Sequence, residues 1–120
     1  MSCLFHSLGQ LLKIPTDGVR QQICDYLEAN KPILEGMETK DILAMDGGSG
    51  YIQRMRQSST WGGAIEIQAA VRLWTICVTV QNRRDGTAPI EFVTADPTSV
   101  LVLYWTGGHY EPVSITRKEV

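Results

Sequence analysis

The repeat of apolar residues along this 120-residue chain changes once, near Thr75, and that change limits the folds open to it. Before Thr75, apolar side chains recur every three to four residues, as on helices with one buried face. From there on, Ile76–Val80 alternates in the two-residue repeat of a strand. Helices followed by strands predict an α+β domain in which N-terminal helices pack on a small, mostly antiparallel sheet.

Five helices and four strands are expected from this pattern. The helices are predicted in the first dozen residues, Gly18–Ala29, Thr39–Met45, Tyr51–Arg56 and Ala64–Trp74, and the strands at Ile76–Val80, Ile90–Thr94, Val100–Trp105 and from His109 to Val113. Asp17 is predicted to cap the second helix and Thr39 the third. Because Val100–Trp105 is apolar throughout, we expect it to be buried on both faces, and we expect Ser114–Val120 to form a polar tail.

Composition and charge exclude several classes of function. With 43% apolar and 20% charged residues, the chain is ordinary for one globular domain, spanning residues 1–120, with a single core. The net charge is −2 and the basic residues do not form a stripe interleaved with aromatic residues, so we expect no nucleic-acid partner. Its apolar runs are too short to cross a membrane, and its N-terminus lacks the pattern of a signal peptide. An odd count of three cysteines argues against a disulfide framework, and we expect a monomer in the reducing cytoplasm.

Cys3 is the first candidate for chemistry. It comes immediately before the apolar stripe of Leu4–Leu12, so it falls in the first turn of the first helix. Free backbone N–H groups and the positive end of the helix dipole would then face its sulfur, which favours a thiolate nucleophile. An inert buried cysteine is the competing interpretation. Cys3 and His6 have a C-x-x-H spacing, but the chain has no second ligand pair, so we predict no metal site and no cofactor.

A thiol nucleophile needs a base, and the chain has two histidines. His6 lies one turn beyond Cys3 on the same helix. Its side chain could lean back toward the thiol, but it is expected to face solvent. His109 follows a Gly-Gly turn at the start of a strand, which is a rigid and uncrowded mount; a hairpin-edge histidine without a task is the alternative. Glu111 comes two residues later, on the same strand face, where its carboxylate could reach the second ring nitrogen or remain a solvated charge.

Four stretches of this chain resemble the ovarian-tumour (OTU) domain cysteine proteases, most of which are deubiquitinases. Ser2–Phe5 is similar to the second half of the family's opening Asp-Gly-x-Cys-Leu/Phe motif, and Arg20–Asn30 fits its next helix. Trp61–Ala69, which reads Trp-Gly-Gly-Ala-Ile-Glu-Ile-Gln-Ala, fits the family's central signature. An apolar strand from Leu101, a short turn and a His-Tyr pair at His109 fit its end. The order and spacing hold along nearly the whole chain.

The resemblance implies a papain-like OTU fold and a deubiquitinase that hydrolyses isopeptide bonds after the C-terminal Gly-Gly of ubiquitin or a ubiquitin-like modifier. It implies Cys3 as nucleophile, His109 as general base and Glu111 as the third member, one methylene longer than the family's frequent Asp or Asn. The implied partners are ubiquitin or polyubiquitin chains, and the small size fits a viral version acting in the host cytoplasm. A Gly-Gly tail needs a channel too narrow for side chains, and the candidates for its walls are Trp61, Gly62, Gly63, Gly107, Gly108 and Tyr110.

One departure from the family pattern concerns the residues before the nucleophile. The family builds its oxyanion hole largely from backbone N–H groups of the loop that precedes the cysteine, whereas only Met1 and Ser2 precede Cys3. Three interpretations follow: a piece of a longer protein, an unusually minimal domain, or an inactive one. The alternative functions are therefore a catalytically impaired ubiquitin-binding module of the same fold, and a small α+β scaffold.

Overall fold

Helices occupy the first part of the chain and strands the remainder. The computed structural model describes residues 3–46, 48–83 and 86–118, so Met1, Ser2 and the last two residues of the predicted tail lie outside the described residues. The helices are α1 (Cys3–Leu12), α2 (Thr16–Glu28), α3 (Thr39–Asp46), α4 (Tyr51–Met55) and α5 (Ala64–Trp74). The strands are β1 (Ile76–Asn82), β2 (Ile90–Phe92), β3 (Ser99–Trp105) and β4 (Tyr110–Arg117). The α+β class predicted from the single change of repeat is confirmed.

The switch from helix to strand occurs at Thr75, where the sequence repeat changes. Thr75 has a left-handed φ of 53°, and its N–H donates to the carbonyl of Val71, which closes the last turn of α5. Strand β1 begins at the next residue. The chain therefore leaves its last helix and enters the sheet without an intervening loop.

The four strands form one sheet in the order β2-β1-β3-β4. β1 pairs antiparallel with β2, and β3 pairs antiparallel with β4, whereas the central pair of β1 and β3 is parallel. Two of the three pairings are thus antiparallel, and β4 lies at one edge of the sheet. The turn that leads into β4 places His109 at one end of that edge.

Burial alternates along β3, which corrects one expectation about this strand. Leu101 and Leu103 are fully buried, whereas Val100 between Ser99 and Leu101 is 38% exposed. The prediction of burial on both faces is wrong, because the core covers one face of the sheet only. The predicted tail at Ser114–Val120 is also wrong in its first part, since β4 continues to Arg117 and residues 114–117 pair with residues 99–102 of β3.

The core lies between the helices and the covered face of the sheet. α1 packs against both α2 and β4, and α5 packs against α2 and β1. The side chains that meet there are apolar and at most 2% exposed, and they include Phe5, Leu8, Ile23, Leu27, Ile67, Val78 and Leu101. Burial of this kind is the main favourable term in folding. It fixes α1, which carries Cys3, against the strand that follows His109.

The two predicted helix caps are corrected by the structure. Pro15 precedes α2 as its capping residue, and Asp17 lies inside the first turn without a side-chain cap. Thr39 is the first residue of α3 rather than the residue before it, and its buried hydroxyl donates to the carbonyl of Lys31. No helix in the described part of the chain is long and apolar enough to cross a membrane. The three cysteines are all free thiols.

Candidate active site

Cys3 and His109 come from opposite ends of the chain and meet in the folded protein. Cys3 is the first residue of α1, and His109 immediately precedes β4. The Sγ atom of Cys3 lies 3.1 Å from Nδ1 of His109, although 106 residues separate them. This separation is within hydrogen-bonding range, so a proton can pass between thiol and imidazole without rearrangement of the backbone.

The turn that carries His109 is held by its own backbone. The N–H of Thr106 donates to the carbonyl of His109 over 3.0 Å, which closes the turn between β3 and β4. Gly107 in this turn has a φ of +99°, a conformation that residues with a Cβ rarely adopt. The turn that positions the His109 imidazole therefore requires a glycine at position 107.

The second histidine, His6, contacts a different side chain. His6 is exposed, as predicted, and its Nδ1 lies 3.4 Å from the hydroxyl oxygen of Thr16 at the start of α2. The structure therefore brings His109 and not His6 to Cys3.

A narrow cavity of about 180 Å³ opens beside Cys3. This volume lies below the roughly 300–1,000 Å³ of sites that hold drug-sized ligands, so only a slender segment fits. The ring of Trp61, 59% exposed, lies with its centre 6.4 Å from that of His109. The lining residues are Cys3, Leu4, Trp61, Gly62, Gly63, Trp105, Gly108 and Tyr110. They include five of the six predicted walls; the sixth, Gly107, does not line the cavity.

Two neighbouring residues in this wall, Gly62 and Gly63, lack a side chain for different physical reasons. A Cβ at Gly62 would lie 2.8 Å from Cζ of Phe5 and 3.0 Å from Cδ2 of Leu4, both on α1. Gly62 therefore permits the close approach between the Trp61 segment and the helix of the nucleophile. A Cβ at Gly63 would meet no atom within 4 Å. At Gly63 the missing side chain leaves the cavity open.

A buried carboxyl holds the backbone of Gly63. Glu66 is 1% exposed; it accepts a hydrogen bond from the N–H of Gly63 over 2.8 Å and another from the hydroxyl of Tyr51 over 2.6 Å. Burial raises the pKa of the Glu66 carboxyl, and these two hydrogen bonds oppose the rise. Burial, with the neighbouring Glu66, also raises the pKa of Tyr51, so its hydroxyl stays a donor. The carboxyl thus fixes the start of α5 at the cavity wall.

A buried guanidinium holds the segment that leads to Trp61. Arg20 on α2 is 1% exposed, and it donates to the carbonyl of Met55 over 2.6 Å and to that of Ser58 over 3.3 Å. Its guanidinium carbon lies 4.5 Å from the ring centre of Phe5. Burial lowers the pKa of Arg20, which nevertheless remains a cation at neutral pH. Arg20 therefore links α2 and α1 to the end of α4.

Sequence reasoning assigned no role to Arg20, Glu66, Ser7 or Trp105. Arg20 shares a helical face with buried residues three, four and seven positions later, namely Ile23, Cys24 and Leu27. A charged residue on an apolar face was therefore a readable signal, and Glu66 between Ile65 and Ile67 was another. Ser7, 1% exposed, donates from its hydroxyl to the carbonyl of Tyr110, and nothing in the sequence distinguishes it from other small helix residues.

Glu111 is exposed on β4, where it lies opposite Tyr104. Among the described residues its carboxylate makes no hydrogen bond to His109. Glu111 lines a wider groove of about 520 Å³, which shares only Cys3 and Tyr110 with the narrow cavity. The role of third catalytic member therefore stays a prediction.

Metal chemistry has no candidate site in residues 3–46, 48–83 and 86–118. Within these ranges no three side chains of His, Cys, Asp or Glu lie close enough together to hold a metal ion.

An α+β fold that joins a helix-borne thiol to a hairpin-borne imidazole has the architecture of papain-like thiol proteases. The chain belongs to the OTU-like cysteine protease family, whose model matches residues 2–110. The match covers the cysteine, the Trp-Gly-Gly segment and the His-Tyr pair, so the resemblance stated from the sequence is confirmed.

Known proteins of this family are similar over the whole chain. The chain is 25% identical over 122 residues to OVARIAN TUMOR DOMAIN-containing deubiquitinating enzyme 10 of Arabidopsis thaliana, covering 97% of this chain but only 33% of that enzyme. It therefore spans about a third of the length of this relative.

Solved structures share the fold at low sequence identity. An OTU domain in complex with ubiquitin has a TM-score of 0.76 at 19% identity, with 98% of this chain and 70% of that chain covered. The viral OTU protease of Dera Ghazi Khan virus has a TM-score of 0.73 at 20% identity, covering 96% and 75%. The Hazara virus OTU bound to ubiquitin has a TM-score of 0.64 at 18% identity, covering 98% and 76%. The papain-like OTU fold is thereby shown for this chain.

Proposed function

We propose that this protein is a cysteine deubiquitinase that hydrolyses isopeptide bonds after the C-terminal Gly-Gly of ubiquitin or of a ubiquitin-like modifier. The observation that carries the proposal is the 3.1 Å separation of Cys3 Sγ and His109 Nδ1 at the mouth of a narrow, glycine-lined cavity. Two of the similar structures hold ubiquitin, and the similar Arabidopsis protein is named a deubiquitinating enzyme, which supports the same substrate class.

The geometry suits acyl transfer in two steps. In the first, the Cys3 thiol gives its proton to His109 and the sulfur bonds to the carbonyl carbon of the terminal glycine. The C–N bond then breaks, and His109 returns the proton to the leaving lysine amine. In the second, His109 takes a proton from water, the hydroxide oxygen bonds to the same carbon, and the C–S bond breaks to free the carboxylate and the thiol.

The narrow cavity suits the acyl side of the substrate. Two glycines in a row have no side chains, so they fit a space of about 180 Å³ that a bulkier tail would not enter. Trp61 covers one side, and the open position at Gly63 leaves room along the wall. For the oxyanion, α1 offers the first-turn N–H groups that have no acceptor within the helix.

A ubiquitin derivative with a C-terminal electrophile tests the proposal. We expect a covalent adduct with the whole protein, seen as a mass increase of one ubiquitin, that disappears in Cys3→Ala. Cys77→Ala is the matched control, because Cys77 is a half-buried thiol on the uncovered face of β1 and should leave the adduct intact. Cleavage of a panel of diubiquitins then gives the linkage preference. Binding without an adduct would favour the impaired binding module, and neither binding nor adduct would favour a scaffold.

A further inference from the structure

We infer that the wider groove beside Cys3 receives the leaving lysine side of the substrate, and that Glu111 stabilises the positive charge that forms on its nitrogen. This inference rests on the proposed function, because it assigns the second half of the same reaction. It gives Glu111 a role different from the orientation of His109 that the family resemblance implies.

Two cavities meet at the sulfur, and an acyl transfer needs two. The bond that breaks joins an acyl group to an amine, so substrate must extend from Cys3 in two directions. The narrow cavity is bounded by Trp61, glycines and apolar side chains. The groove of about 520 Å³ is nearly three times as large and is lined by Cys3, His6, Ser7, Thr16, Tyr110, Glu111 and Pro112. A polypeptide that carries the target lysine has side chains on both sides of it and therefore needs the wider space.

Glu111 lines the wider groove together with its β4 neighbours Tyr110 and Pro112. Tyr110 lies opposite Trp105, with the two rings 4.9 Å apart, and both residues line the narrow cavity. Glu111 lies opposite Tyr104, and neither of these two residues is among the described residues that line the narrow cavity. The facing wall is formed by Cys3, His6 and Ser7, which lie three and four residues apart and share one face of α1.

The carboxylate of Glu111 is available to a ligand. Glu111 is exposed, and in the part of the chain that the structure describes it makes no ion pair and no side-chain hydrogen bond. Among the described residues that line this groove, Glu111 has the only acidic side chain. The nitrogen of the leaving lysine carries positive charge when it has taken a proton before the C–N bond breaks, and again when the released amine is protonated, since the usual pKa of a lysine amine is about 10.4. A carboxylate within the same groove stabilises that charge.

The two roles of Glu111 are separable with two substrates that share the acyl group. One is ubiquitin joined to the side-chain amine of lysine in a short fluorescent peptide, and the other is ubiquitin joined to an aminocoumarin, whose aromatic amine leaves without positive charge. In Glu111→Gln we expect the ratio of kcat/KM for the lysine substrate over the coumarin substrate to fall about three- to tenfold, a size suited to a charge contact at an exposed carboxylate. Glu91→Gln, an exposed carboxylate on β2, should leave both rates unchanged.

The outcomes decide between the alternatives. An equal fall for both substrates would mean that Glu111 acts through His109, and an unchanged ratio with unchanged rates would mean that it does nothing in the groove; either result overturns the inference. Glu111→Ala should reproduce the effect of Glu111→Gln. If the unaltered protein cleaves neither substrate, the proposed function itself fails, which is seen before any variant is compared.

Discussion

The hydroxyl of Ser7 donates a hydrogen bond to the backbone carbonyl of Tyr110 over 3.1 Å. Ser7 lies one helical turn after Cys3, and Tyr110 is the residue after His109, so this bond joins the two elements of the candidate active site directly beside the reacting pair. Ser7 is 1% exposed, so its side chain is almost fully enclosed by the protein. The bond therefore fixes how α1 sits against the edge of β4.

Ser7→Ala is expected to lower turnover more than stability alone explains. The free energy of unfolding should fall by about 1–2 kcal/mol, because a buried carbonyl loses its donor. The value of kcat should fall about tenfold, since small displacements of reacting groups slow catalysis steeply. Thr98→Ala is the matched control: it removes a hydroxyl-to-carbonyl bond of 3.2 Å to Thr75, far from the site, and should leave kcat unchanged. Equal kcat in the two variants would contradict the positioning role of Ser7.

The glycines at positions 62 and 63 should respond differently to the same added methyl group. Gly62→Ala is expected to lower the free energy of unfolding by about 1–3 kcal/mol, because the new Cβ would overlap Phe5 on α1. Gly63→Ala should change it by less than about 1 kcal/mol but slow labelling by the ubiquitin electrophile about tenfold, because the methyl group narrows the cavity. Urea unfolding and labelling rates check the pair. The cavity assignment fails if Gly63→Ala is labelled at the normal rate.

Replacing Arg20 should destabilise the protein far more than replacing Arg56. Arg20→Met leaves the carbonyls of Met55 and Ser58 without their donor inside the protein, and we expect a loss of about 2–4 kcal/mol. Arg56→Met removes ion pairs to Asp25 and Glu28, whose side chains are 69% and 66% exposed, and should cost less than about 1 kcal/mol. Chemical denaturation of both variants tests this difference, and similar losses would show that the buried contacts of Arg20 contribute little.

Alkaline pH should destabilise the fold through Cys24. Burial raises the pKa of this thiol from 9.0 to about 11, so the unfolded chain loses its proton before the folded one does. The contribution of Cys24 is therefore fully present below pH 9 and is lost as the pH rises to 11, by about 2–3 kcal/mol. The measurement is the difference between the stability curves of the unaltered protein and Cys24→Ala from pH 8 to 11, because buried tyrosines add a slope common to both. A constant difference across this range would refute the assignment.

Local pattern predicted the elements of this fold but not their arrangement. The helical stripes and the change of repeat at Thr75 gave five helices and four strands close to their observed positions. The parallel pairing of β1 with β3 was not predictable, since alternation within Ile76–Val80 says nothing about which strand lies beside it. The prediction that Val100–Trp105 is buried on both faces was wrong for a related reason. Apolar residues on an uncovered face of the sheet cannot be distinguished in the sequence from apolar residues in the core.

The candidate site was predictable where the chemistry needs particular residue types. Cys3, His109 and the Trp61 segment could be named because thiols, imidazoles and glycine-flanked tryptophans are uncommon and stood in the order of a known family. Ser7 could not, because its role depends on a contact with Tyr110, 103 residues further along the chain. The role of Glu111 could not be predicted from its position in the sequence. Its spacing of two residues from His109 suggests that it orients the imidazole, whereas in the structure it lines a groove beside the sulfur of Cys3.

The long separation between thiol and imidazole has a consequence for biosynthesis. A ribosome synthesises α1 before the β3–β4 hairpin, so the sulfur of Cys3 is present in the nascent chain before the imidazole of His109 has been made. Premature release or proteolytic trimming upstream of β4 would likewise yield a polypeptide unable to activate that sulfur through His109. The pair of Cys3 and His109 thus forms only in molecules in which β4 has docked against α1.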